Sequence, residues 1–131
     1  MFNMKEYNAL GQILDKTFGR GSIGERGFAI RHNLGMCHTS GRPILELRYE
    51  TALNFNPRHG MIEQKKDHDK MSQEVLSGLM KEVKSEFKEL TGKSLKLKDE
   101  KISEPQINHI SHNPSLIRAR YSRVIVNYLE N

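Results

Sequence analysis

The stretch FAIRHNLGMCHTSGRPILELRYETALNF, residues 28–55, alternates apolar and polar residues on both sides of a turn-forming centre. In its first half Phe28, Ile30, His32, Leu34 and Met36 share one parity, and Ala29, Arg31, Asn33, Gly35 and Cys37 the other. In its second half Leu45, Leu47, Tyr49, Thr51, Leu53 and Phe55 are offset from Glu46, Arg48, Glu50 and Asn54. Successive side chains of a strand point to opposite faces, so each half predicts a strand with one face on a core and the other on water. The intervening HTSGRP is rich in turn formers, and the two halves predict a long antiparallel hairpin. A sheet with one apolar face must be covered, and the flanking sequence carries the cover.

Upstream, MKEYNALGQILDKTF, residues 4–18, sets Met4, Tyr7, Leu10, Leu14 and Phe18 on one helical stripe with Ile13 beside it, and Gly19 marks its end. Between this helix and the hairpin, GRGSIGERG carries four glycines in nine residues. Its spacing matches neither phosphate-cradling pattern and it follows a helix rather than a strand, so it predicts a plain connector. Downstream, Pro57 and Gly60 punctuate a second break. From about Asp69 to Thr91, Met71, Val75, Leu76, Leu79, Met80, Val83, Phe87 and Leu90 form one apolar stripe, lysines alternate with glutamates on the other side, and Gly92 stands at the C-terminal cap position.

Beyond this helix, KSLKLKDEKISEP is charged and irregular, with Leu95 and Leu97 as the start of a short strand. QINHISHN and SLIRARYSRVIVNYLE, separated by Asn113 and Pro114, predict a closing hairpin, and a slip in the alternation near Arg123 predicts a bulge. The expected fold is α+β in the order α-β-β-α-β-β. It has an antiparallel sheet of about four strands with two helices on one face, in one domain over residues 1–131.

Composition narrows the function classes. A single cysteine, Cys37, excludes an intrachain disulfide and a multi-cysteine zinc site, which fits a reducing, cytoplasmic compartment. Residues 1–14 lack the features of a secretory signal, no apolar run is long enough to span a membrane, and no membrane partner is expected. The net charge is +5, and its two cations are segregated: all nine arginines lie outside residues 59–117, while ten of the twelve lysines lie between 65 and 101. Lysine interleaved with glutamate dresses a solvated helix, whereas arginine offers a rigid fork for phosphate or carboxylate. The excess positive charge therefore belongs to the strands.

One motif raises a metal question. KKDHDK, residues 65–70, sets Asp67 and Asp69 two apart ahead of the long apolar stripe. Two such carboxylates, with a third from Glu63, Asp99 or Glu100, would suit magnesium or manganese. Together with KDEKI further on, QKKDHDKMSQEVL resembles the phage-type Holliday-junction resolvases, in which a DxD pair opens a helix and further acids precede a final hairpin. Lys70 stands where that motif has Asn, so the resemblance carries no family assignment. The simpler expectation is that Asp67 or Asp69 caps the helix, worth about 0.5–2 kcal/mol. The six histidines, including His109 and His112, show no local ligand spacing. No catalytic residue, metal or cofactor is expected.

The arginine-bearing strands remain. Arg118 and Arg120 share a parity away from the core, and Arg31 and Arg48 take the matching face of the first hairpin. Tyr49 and Tyr121 fall on the core faces, leaving Tyr128 as the one free aromatic, so the aromatic signature of RRM-type recognition is absent. The expected function is non-enzymatic nucleic-acid binding by a basic sheet face carrying Arg31, Arg48, Arg118, Arg120 and Arg123, as in a small subunit of a nucleoprotein or viral assembly. A second reading is a structural assembly protein, a homo-oligomer or virion component whose arginines meet acidic protein surfaces. A third is a magnesium-dependent, resolvase-like nuclease using Asp67 and Asp69.

Overall fold

The computed structural model describes residues 2–19, 28–54, 61–113 and 116–131, with side chains throughout except at 53–54, 61–62, 108–113 and 116–119. The glycine-rich connector and the NPRHG break lie outside these residues, as does whatever was expected of them. Helix α1, Met4–Phe18, forms where its stripe predicts: Leu10, Ile13, Leu14 and Phe18 are buried, although Met4 is exposed. Asn3 caps it by accepting the Glu6 N–H at 2.8 Å, and Gly19, at φ 63, donates back to Asp15 and ends it.

The predicted hairpin is strand β1, Phe28–Met36, against β2, Pro43–Asn54, in unbroken register from Phe28 opposite Thr51 to Met36 opposite Pro43. Helix α2 is Met61–Thr91 and closes on Gly92, whose φ of 75 and bond to the Lys88 carbonyl give the expected left-handed cap. Strands β3, Lys96–Ile102, β4, Gln106–Asn113, and β5, Leu116–Glu130, follow. The sheet runs β1-β2-β5-β3, with β4 also on β5.

The antiparallel sheet is thus four ribbons wide, but its far edge is built from two strands in series. β3 pairs with the C-terminal half of β5, from Lys96 opposite Glu130 to Ile102 opposite Ile125. β4 pairs with the N-terminal half, from Gln106 opposite Ser122 to Asn113 opposite Leu116. At the joint Ser103 donates its N–H to the Val124 carbonyl at 2.8 Å, and its Oγ accepts the Val124 N–H at 3.0 Å. The serine hydroxyl does the work of a missing carbonyl, so the central strand loses no ladder bond at the break.

Both helices pack on one face. Leu10, Ile13, Leu14 and Phe18 of α1 and Leu76, Met80, Val83 and Phe87 of α2 join Ile30, Leu45, Leu47, Tyr49, Leu95 and Leu129 in one core cluster.

Two expectations need correction. α2 starts at Met61, not near Asp69, so KKDHDK lies inside the helix and neither Asp67 nor Asp69 caps it. The reason is His68, which is 2% exposed and anchors this early part of α2 to the sheet, with Ser72 buried one turn on. The buried line of α2 runs His68, Ser72, Leu76, Met80, Val83, Phe87, which leaves Met71 and Leu90 of the expected stripe exposed, at 43% and 66%. Secondly, β5 has no bulge at Arg123: its register with β2 is continuous from Ile44–Tyr128 to Asn54–Arg118. The irregularities lie in its edge partners, between Lys98 and Lys101 and between Asn108 and Ser111, the first around Asp99 at φ 53.

Candidate nucleic-acid interface

The pairing fixes which side chains share the face turned away from α1 and α2. Ile30, Tyr49 and Tyr121 are buried toward the helices, so their chain neighbours point the other way. Across the open face the rows read Ala29–Glu50–Ser122–Gln106, then Arg31–Arg48–Val124, then Asn33–Glu46–Val126–Lys101, then Gly35–Ile44–Tyr128–Lys98. Glu130 and Lys96 close the sequence of rows.

Arg31 and Arg48 are directly opposite one another on neighbouring strands. Like charges in that position repel and cost stability. Among the described residues neither guanidinium has an ion-pair partner, and Arg31 is exposed. The other expected arginines fare differently. Arg120 shares the open face, but its Nη1 lies 3.2 Å from the Glu50 carboxylate, which is 4% exposed and needs that partner. Arg118 takes its backbone place opposite Asn54 and Ser111, and its side chain is outside the described residues. Arg123 is on the opposite face: with no bulge to turn it outward it points at α2 and meets Asp69 at 2.9 Å. It belongs to the packing between helix and sheet, and the face loses it.

Cations that the sequence reading did not place on the face are there. Lys96, Lys98 and Lys101, on a segment read as irregular, line its β3 margin, exposed and without an ion pair among the described residues. Arg42, in the hairpin connection, lies 4.2 Å from the centre of the Tyr128 ring and within 3.5 Å of both Asp99 and Glu130. The signal available for the lysines was the alternation of Lys96 and Lys98 with Leu95 and Leu97, whose buried and half-buried side chains lie on the helix side.

No family model, curated protein or solved structure matches the chain. The site therefore rests on its geometry.

The DxD pair does not form a shared ligand set. Two residues apart on a helix means a turn of about 200° around its axis, so Asp67 and Asp69 point to different sides. Asp69 is engaged by Arg123, and among the described residues no group of three His, Cys, Asp or Glu side chains is placed to hold a metal ion.

Between those aspartates, His68 sits edge-on to Tyr49 at 5.0 Å and to Tyr121 at 4.5 Å between ring centres, with its Nδ1 2.7 Å from Thr51 Oγ1. Its Nε2 has no hydrogen-bond partner among the described residues. Burial pushes its pKa down to about 4, the Asp69 carboxylate opposes that shift, and Arg123 adds to it. His68 is thus a neutral aromatic packing element. Cys37, half-buried in the connection between β1 and β2, is held down to about 6 by hydrogen bonds from the Ser40 hydroxyl and from the Ser40 and Thr39 backbone.

Proposed function

We propose that the open sheet face binds nucleic acid through its phosphate backbone, as a non-enzymatic component of a nucleoprotein assembly. The observation that carries this reading is the cross-strand pair Arg31–Arg48, two arginines directly opposite in register and neither in an ion pair among the described residues. A phosphate seated there relieves the repulsion and accepts bidentate bonds from either fork. The surrounding charge supports it. Glu50 is matched by Arg120, and Asp99 and Glu130 share Arg42, leaving Glu46 and one acid of that pair against Arg31, Arg48, Lys96, Lys98 and Lys101. No helix among the described residues is long and apolar enough to cross a membrane. A cytoplasmic location belongs to the same reading.

Fluorescence anisotropy with a labelled polynucleotide, titrated at several salt concentrations, tests it. Binding should weaken steeply with salt, and the double variant Arg31→Ala with Arg48→Ala should reduce the salt slope by about two units, one per lost contact. Arg123→Ala should leave that slope unchanged. Absence of binding at low salt refutes the reading. A change of mass in light scattering that responds to Arg31 and Arg48, without nucleic acid, would favour the assembly protein instead.

A further inference from the structure

We infer that the occupant of this face is a single strand of nucleic acid, with its bases on an apolar floor along β5 and its phosphates on the cations that edge it. This rests on the reading that the face binds nucleic acid. The floor is the row Val124, Val126 and Tyr128 down the centre of the sheet, widened by Ile44, which pairs with Tyr128. All four are half-buried, and none belongs to the core cluster under the helices. Arg48 and Arg31 flank Val124 on the β2 side, Lys101 and Lys98 flank Val126 and Tyr128 on the β3 side, and Glu46 lies across Val126 from Lys101.

An apolar row edged by cations, at Val124 on the β2 side and at Val126 and Tyr128 on the β3 side, fits a splayed single strand better than a duplex. A duplex shows phosphates and groove edges, and the major groove admits a helix or a two-stranded ribbon, not the flat of a four-ribbon sheet. A duplex on this face would touch phosphates at the margins and leave the apolar row unused. A single strand has bases to bury, and every base has a flat face that can lie on a ring or an aliphatic surface. Tyr128 with Arg42 stacked upon it at 4.2 Å provides one flat platform at the end of the row. The valines and Ile44 provide contact without hydrogen-bonding groups, so the expected recognition is tolerant of sequence. RNA and DNA share this chemistry.

The test is anisotropy with labelled oligo-dT, oligo-rU and a duplex of equal length, on wild type, Tyr128→Phe and Tyr128→Leu, each variant first checked by its thermal melt. Both single strands should bind more tightly than the duplex. Tyr128→Phe should keep that preference, and Tyr128→Leu should weaken single-strand binding about five- to a hundredfold with little change for duplex. A preference for oligo-rU over oligo-dT would assign the ligand to RNA, and the reverse to DNA. Equal binding of single strand and duplex, indifferent to Tyr128, overturns this inference while leaving the phosphate reading in place. Failure to bind any of the three overturns both.

Discussion

At the scale of single residues, His68 and Cys37 both have lowered pKa values, the first with a consequence for stability and the second for reactivity. His68 has its folded pKa depressed from 6.5 to about 4 because its buried, edge-packed site disfavours the imidazolium. Between those values the unfolded chain binds a proton that the folded chain refuses. The contribution is therefore complete above about pH 6.5 and is lost as pH falls through 4, by up to about 3 kcal/mol. Urea denaturation at pH 7 and pH 4.5 should show that fall in wild type and a flatter dependence in His68→Gln; parallel curves would show that His68 does not set it. Cys37 is a matter of reactivity. Its thiolate is favoured by donors from Ser40 and Thr39, so alkylation by iodoacetamide, followed by mass, should rise with a midpoint near pH 6. Ser40→Ala should move the midpoint upward, and a wild-type midpoint near that of a free thiol would contradict the geometry.

At the scale of elements, α2 offers the sharpest contrast. Val83 is fully buried and Lys84, its neighbour, is exposed. Val83→Ala should destabilise by about 1–3 kcal/mol in a denaturant titration and Lys84→Ala by less than about 0.5 kcal/mol; equal effects would place the buried line elsewhere. The second half of this helix was readable because Leu76, Met80, Val83 and Phe87 recur at helical spacing with charges between them. Its first half was not, since it is held by His68 and Ser72, polar residues whose burial needs partners: Thr51, Tyr49 and Tyr121 of the sheet for the histidine, and the Asp69 carbonyl one turn back in the helix for Ser72 Oγ. The strands were readable from their alternation, and so was the shared face of Arg31 and Arg48. That these two stand directly opposite depends on register, which a hairpin's turn and pairing set and parity alone does not. Arg123 was misplaced for a related reason. An arginine on a core-side parity looked like a slip in the strand, and the carboxylate that makes it tolerable there, Asp69, lies on a different element.

At the scale of the whole molecule, remote segments converge on Glu6. This carboxylate, 5% exposed near the start of α1, receives Lys93 Nζ at 3.0 Å from beyond α2 and the side-chain amide of Asn131 from beyond β5. The Lys93 hydrogen bond leads in holding its pKa below the usual carboxylate range. Glu6→Gln should lower the thermal midpoint at neutral pH and lose that difference in acid, where the wild-type carboxyl is protonated too; a difference that persists in acid would assign the effect to packing. The order of the strands carries a further consequence. β5 stands between β2 and the β3–β4 edge, yet it is the last strand in the chain. While the polypeptide is being made, everything up to Asn113 emerges as a hairpin and two edge segments with no ribbon between them. Those exposed edges wait for the last strand, with only sequence-distant contacts to close them. Val124, Val126 and Tyr128 belong to β5, so the first hairpin can pair Arg31 with Arg48 on its own, while the face proposed for binding is complete only once the last strand has docked.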